Sequence, residues 1–364
     1  METNTISKST IKIATLNLFN YLAPPYACYD FDRIYSETQW QKKQHWLSNY
    51  LSKQQPDIIG FQEVFSIESL KTLVTSHGYK YFAVIDQPEV IDEHIFQKPV
   101  VAIASKYPIM KAEAISVNST LAKTIGLNDK FTFARKVLRA TINIPNLGAT
   151  DCYVVHFKSK RSTLESESKP ESKQALTKQL ENYITGKWAA SLQRGSEATL
   201  LMCEIITRRE KSKHPIILMG DFNDNLHEGV LKQLTTTQLA ADKSQDEAKE
   251  FAKYLPQDAW QLYLRAISNE QQNSSELNVS KHSTLKENKH SAQKARTATH
   301  YYGSKGSVLD YILLSHEFDA SHQDSFFMIS QYDVFDKHLI KPNFELDGES
   351  SDHAPVMVTL TLRA

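Results

Sequence analysis

Gly220-Asp221-Phe222-Asn223 closes an apolar run over residues 216–219 and delivers a carboxylate and an amide two residues apart. Alternation along an extended chain points Asp221 and Asn223 to one side and Phe222 to the other. Such a pair suits metal-assisted hydrolysis, in which a carboxylate holds a cation or activates water and an uncharged amide donates to a phosphoryl oxygen. The same residues also spell an ordinary Asx-type turn, and this segment alone does not choose between the two. Other stretches end in comparable side chains: Asn17, Glu63, His156 with Lys158, Lys160 and Arg161 behind it, and Asp310 at the head of an apolar run. Taken singly, each has an ordinary structural reading: a strand-end amide bound to backbone, a solvated glutamate, a satisfied strand histidine, a solvated basic edge. Asp352-His353 before the C-terminal strand, with a second aspartate elsewhere, is a stronger arrangement. A histidine working as acid or base near neutral pH needs one carboxylate to fix its tautomer, and a neighbouring carboxylate can hold a divalent cation.

These side chains need rigid strands behind them. Residues 216–219 are too few for a helix and too continuously apolar for a half-exposed strand, so they read as a central strand buried on both faces, turning at Gly220. Residues 11–20 read as a buried first strand ending near Asn17, and residues 57–65 as a second, after Pro56 closes a helix over 37–51. A short helix over 70–77 stops at Gly78, and further strands are expected at 81–85, 100–105, 136–144 and 151–157. The strand at 136–144 alternates and is expected to be half exposed. Residues 174–209 are helix-prone and read as two helices separated near Gly186 or Gly195. Gly303-Ser304-Lys305-Gly306 lacks the spacing of a phosphate-binding loop and reads as a turn. Residues 268–296 carry almost no large apolar side chains and read as a flexible polar insertion on a single domain spanning 1–364.

Composition bounds the partners. The 364 residues carry 42 Lys+Arg against 42 Asp+Glu, so no global positive field drives non-specific binding to nucleic acid. The basic residues expected near the site are Arg135, Arg139, Lys158, Lys160, Arg161 and Lys305, enough for one or two phosphates. Three unpatterned cysteines argue for reduced thiols. The polar N-terminus, without a signal-like apolar region, and the lack of a membrane-length apolar run lead to the expectation of a cytoplasmic monomer.

The ordered series Thr15-Leu16-Asn17, Gln62-Glu63-Val64, Val155-His156-Phe157-Lys158-Ser159, Gly220-Asp221-Phe222-Asn223, Leu309-Asp310-Tyr311-Ile312-Leu313 and Ser351-Asp352-His353-Ala354-Pro355 resembles the endonuclease/exonuclease/phosphatase superfamily, whose fold is that of deoxyribonuclease I. The resemblance spans residues 13–362 and implies a four-layered α/β sandwich: two mixed β-sheets face to face, helices outside, and a site at one rim. Carried over, it implies that Glu63 is a principal ligand of a divalent metal, Mg²⁺ or alternatively Mn²⁺, with Asp352 and Asn17 close to that metal. It further implies that Asp221 orients or activates water, that Asn223 holds a phosphoryl oxygen, that Asp310 orients His353, and that His156 contacts the scissile phosphate. Arg135 and Lys158 are expected to bind the substrate phosphate. A carboxylate partner for His156 is not apparent in the sequence. The activity implied is a nuclease-like phosphodiesterase acting on a phosphate ester or nucleic acid. The alternatives are action on a lipid head group or small metabolite, or a binding protein on the same fold; no motif position is eroded, which favours an enzyme.

Overall fold

The computed structural model describes residues 9–31, 33–164, 172–235, 244–278, 295–323 and 325–363. Two six-stranded sheets dominate it. The first runs in the order β16 (Phe327–Val334), β17 (Val356–Leu362), β1 (Thr10–Tyr21), β3 (Ile58–Val64), β7 (Val100–Ser105), β4 (Tyr81–Val84). The second runs β12 (Gln257–Asp258), β15 (Asp310–Leu314), β11 (Ile216–Asp221), β10 (Gly148–His156), β9 (Leu138–Ile144), β8 (Ile109–Ala114). Each sheet has one parallel pair at its centre, β1 with β3 and β10 with β11, and is otherwise antiparallel. A small sheet of β2 (Ala27–Cys28), β6 (Ile95–Gln97) and β5 (Glu89–Ile91) and a hairpin of β13 (His300–Tyr302) and β14 (Lys305–Ser307) complete the strands.

The period of two along each strand sorts its residues into layers. Ile11, Ile13 and Ile58 from the first sheet meet Cys152, Val154, Ile217, Met219, Ile312 and Leu314 from the second, forming the core between the sheets. The alternate residues of the first sheet, Ala14, Leu16, Ile59 and Phe61, pack under α1 (Glu37–Gln54) and α2 (Ile67–Ser76). Those of the second, Tyr153, Val155, Ile216 and Leu218, pack with Ala198, Leu201 and Ile205 of the helix Lys173–Ser212. Helix, sheet, sheet and helix therefore make four layers, and strands covered on both faces are apolar throughout.

Several sequence expectations shift. The strand at 136–144 begins at Leu138 and is buried on both faces except at Asn143, because the sandwich covers one side and helix Lys173–Ser212 the other. That helix is a single element of 40 residues. Gly186 and Gly195 do not interrupt it. At Gly186 an added Cβ would lie 2.8 Å from the Leu164 backbone nitrogen, so the glycine serves the close approach of a loop and not a break. Gly220 lies inside β11 and not at a turn: it has φ +145°, and a Cβ there would collide with the Val155 carbonyl of β10. Of the turn expected at 303–306, Gly303 and Ser304 join β13 to β14, while Lys305 and Gly306 already belong to β14. Among the described residues no helix is long and apolar enough to cross a membrane.

The expected insertion at 268–296 divides. Helix Ala259–Asn278 runs into it, residues 279–294 lie outside the described residues, and Arg296 at its far end is fixed in the protein. The Arg296 guanidinium pairs with buried Asp258, donates to the Tyr332 hydroxyl at 2.7 Å and lies 4.6 Å from the Tyr311 ring centroid. A buried carboxylate that loses its cation keeps the desolvation cost. Arg296→Met should therefore lower unfolding stability by roughly 3 kcal/mol in urea titrations. A loss below the scatter of a surface mutation would show that Arg296 merely borders the insertion.

Candidate active site

The layers end together, and so do the side chains that face between them. On β10, β11 and β15, the next inward positions after Val154, Met219 and Ile312 are His156, Asp221 and Asp310. Register pairs His156 with Asp221 and Asp221 with Asp310, so three titratable groups form one row across adjacent strands. All three are buried. Facing them, Asn17 continues the inward series Ile11, Ile13 and Thr15 of β1. Its amide nitrogen donates to Asp221 Oδ2 at 3.1 Å and to Glu63 Oε1 at 3.3 Å, joining the two sheets.

Glu63 reaches this cleft by breaking the alternation. Ile59 and Phe61 face the helices, and a regular strand would send Glu63 after them. A left-handed residue, φ 58°, and a register shift between Phe61 and Val64 turn its carboxylate back. Phe19 and Asn20, at φ 52° and 56°, bend the neighbouring strand β1 likewise, and the Asn20 amide donates to Glu63 Oε2 at 3.0 Å.

His353 stands over the row. Its Nδ1 meets Asp310 Oδ2 at 2.8 Å, leaving Nε2 directed to Asp221 Oδ2 at 3.9 Å. Burial alone would depress this imidazole, but Asp310 and Asp221 outweigh it and hold the group well above the usual histidine range. Asp221 is pushed up to about 7, chiefly by burial and further by Asp310, with His353 opposing. His156 is held well below the usual range by burial, aided by Arg135, His353 and Lys158, so its ring is neutral. Its Nε2 lies 3.6 Å from Asp221 Oδ2 and 3.9 Å from Glu63 Oε1, while its buried Nδ1 has no hydrogen-bond partner among the described residues. His156 thus faces two carboxylates without a hydrogen-bonded one, which explains why no partner was visible in sequence.

Asn223, at φ 55°, is tied by its backbone amide to Asp221 Oδ1 at 2.8 Å, and its side chain donates to the Phe157 carbonyl at 3.0 Å. The Asx turn and the polar site are one object. Asp352 is half buried beside His300 and His353. Arg135 donates to the Phe157 carbonyl, and the Lys158 backbone amide is held by the buried Glu197 carboxylate, which also takes the Ala134 amide. Arg139 does not join this rim: it is buried in ion pairs with Glu113 and Glu204. Lys160 is paired with Asp224.

Positioning residues went unassigned in sequence. Ser351 donates to the Asn17 carbonyl at 2.6 Å and accepts from the His353 amide, and Thr299 Oγ1 accepts from the Leu309 and Asp310 amides. Ser351 adjoins the Asp-His pair and could have been noticed; Thr299 has no local signal.

Among the described residues two clusters have ligand atoms close enough to share an ion, Asp221–Asp310–His353 and His300–Asp352–His353, with Glu63 beside the first through Asn17. Among the described residues Asp310 Oδ1 is buried without a partner, and Glu63 accepts from the Asn17 side chain and the Asn20 amide. Carboxylate oxygens with spare lone pairs fit a hard divalent cation.

The family model described as Endonuclease/Exonuclease/phosphatase family matches residues 15–353. No curated protein matches the chain in sequence. Among solved structures, the human Nocturnin catalytic domain with bound sulfate anion aligns with a TM-score of 0.55 at 15% identity, covering 97% of this chain and 95% of that one. A D. rerio TDP2 humanized by 14 mutations gives 0.51 at 11% identity, covering 96% and 98%. An endonuclease/exonuclease/phosphatase from Bacteroides vulgatus gives 0.51 at 13%, covering 98% and 100%. At these identities the likeness is one of fold.

The electrostatics of the row can be read out at one proton. Asp310 raises the affinity of His353 for its proton, so Asp310→Asn should move the His353 titration downward, towards or below the ordinary histidine range near 6.5. Ring-proton NMR across pH would follow it; an unchanged midpoint would remove Asp310 as the partner.

Proposed function

This chain belongs to the endonuclease/exonuclease/phosphatase family, and from that premise we propose that it is a divalent-metal-dependent phosphoesterase that hydrolyses phosphodiesters by direct, in-line attack of water. The observation that supports this most is the buried row His156–Asp221–Asp310 with His353 bridging two of its carboxylates and Glu63 alongside. Glu63, with Asn17 and Asp352 close by, would hold the metal, which when bound supplies positive charge where phosphoryl oxygens become more negative.

The chain's own residues divide the remaining work. Asp221, with its pKa near 7, accepts a proton from water far more readily than an ordinary carboxylate and is fixed by Asn17 and Asn223. Asn223, whose side-chain amide donates to the Phe157 carbonyl and to Asp221 Oδ2, would turn one N–H to a phosphoryl oxygen on substrate binding, with no charge to neutralise Asp221. His353 is an imidazolium oriented by Asp310, and its Nε2 faces the cleft as a donor to developing negative charge. Neutral His156 offers a second ring donor from the opposite side. Arg135 and Lys158, held next to Phe157, meet the phosphate at the rim.

The rim also bears on substrate. With Arg139 buried and Lys160 paired to Asp224, fewer cations are available to follow a long polyanion than sequence suggested. Short or small phosphodiesters are therefore the proposed substrates, cleaved at least as fast as duplex DNA at physiological salt.

The test is turnover on duplex DNA, single-stranded oligonucleotide and a small aryl phosphodiester with Mg²⁺ or Mn²⁺, before and after chelation. Hydrolysis should vanish on chelation and return with metal, and Glu63→Gln should cost about a hundredfold while keeping the thermal transition. Full activity after exhaustive chelation would overturn the metal-dependent reading, and a marked preference for long duplex would overturn the substrate class.

A further inference from the structure

Lys43 takes no part in the chemistry above, yet its charge is buried and, among the described residues, meets aromatic rings and no hydrogen-bond partner. It lies on the inward face of α1 with Trp40, Leu47, Tyr50 and Leu51, is only 3% exposed, and among the described residues its ammonium has no hydrogen-bond partner. Burying a bare ammonium is costly, and a methionine of the same length would pack there without that cost. The surroundings show what the charge faces. Nζ lies 5.6 Å from the Phe19 ring centroid and 5.2 Å from that of Tyr35. Phe19 belongs to the left-handed bend whose next residue, Asn20, donates to Glu63, and the Tyr35 hydroxyl donates to the Phe19 carbonyl at 3.3 Å. The two rings thus hold the ammonium beside the bend whose Asn20 amide binds the Glu63 carboxylate. Burial depresses the Lys43 pKa to about 8, while the negative charges of Asp352, Glu63 and Glu349 act the other way, with Cys28 a smaller influence.

We propose that Lys43 is a built-in counter-cation for the carboxylates Glu63 and Asp352, holding the affinity of their site for a divalent ion below what those carboxylates alone would give. The inference rests on the metal reading of that site. Direct contact with substrate is excluded by burial, in contrast to Arg135 and Lys158 at the rim. A role in packing alone leaves the retained charge unexplained. Charge acting through the interior requires neither contact nor exposure, because buried charges are weakly screened. Before metal arrives, Lys43 offsets the repulsion between carboxylates; once a divalent ion is bound, it repels that ion and eases its release.

The experiment is calorimetric titration of Mn²⁺ into the purified full chain without substrate, for wild type, Lys43→Met, Lys43→Arg, Glu349→Gln and Glu63→Gln, with circular dichroism to verify folding. Lys43→Met should bind Mn²⁺ at least tenfold more tightly than wild type. Lys43→Arg, which keeps the charge, should stay within about threefold. Glu349→Gln, which removes a negative charge from the same surroundings on a half-buried loop, should bind a few-fold more weakly. Folded Lys43→Met with unchanged or weaker affinity overturns the proposal. Should Lys43→Met not fold, unchanged affinity in Glu349→Gln overturns it. If wild type and Glu63→Gln bind Mn²⁺ equally or not at all, the metal reading itself fails and the proposal falls with it, a pattern distinct from a failure confined to Lys43.

Discussion

Two carboxylates buried directly opposite each other on adjacent strands are the constraint to which the rest of the site responds. Asp221 and Asp310 are register partners within the second sheet, on its face towards the first, and like charges so placed repel where water cannot screen them. Three arrangements offset this. His353 sets one ring nitrogen on Asp310 and directs the other to Asp221, Asn17 and Asn223 donate to Asp221, and the Asp221 carboxyl retains its proton to about pH 7. Each compensating group is fixed in turn, His353 through Ser351 and Asp310 through Thr299. The cost of burying the carboxylates is thereby offset, and the Asp221 carboxyl is left poised near neutral pH.

The sandwich makes that poise reproducible. Inward residues of β10, β11 and β15 are aliphatic until the layer ends, and the polar row is simply the next inward position on each strand. Rigid strands with both faces covered hold it, while the residue needing a special direction, Glu63, receives it from a left-handed backbone opposite a second bend at Phe19 and Asn20. Such conformations cost of order 1–2 kcal/mol each and persist because neighbouring contacts over-determine them. The first sheet thus offers Glu63 and Asn17, the second offers the row, and the Asn17 side chain ties them.

Much of this was legible in the chain. Continuous apolar runs ending in Asn17, His156 and Asp221 showed buried strands with polar side chains at their tips, and the ordered motifs supplied layers and family. What failed to show has physical reasons. Alternation would have turned Glu63 outward, because a left-handed residue leaves no mark in a periodicity of two. Arg139 was counted at the rim because Glu113 and Glu204, which neutralise it, lie on distant segments. Gly186 was taken as a break, although glycine within a helix can equally admit a neighbouring loop. Arg296 was assigned to a polar insertion, although its partners Asp258 and Tyr332 come from elsewhere. Strand β16 was passed over altogether. Local composition reports how a residue is inclined, while long-range pairing decides what it does.

If the row prepares water to attack phosphorus, no side chain forms a bond to the phosphoryl group. The stereochemical course tests this most directly. A phosphodiester analogue made chiral at phosphorus, with sulfur and isotopic oxygen, is hydrolysed in labelled water and the product configuration assigned. A single in-line displacement gives inversion, with the label on phosphorus. Retention would mean two displacements through a phosphorylated side chain, with His156 or Asp221 as nucleophile, and would contradict the assignment of these residues to proton and charge.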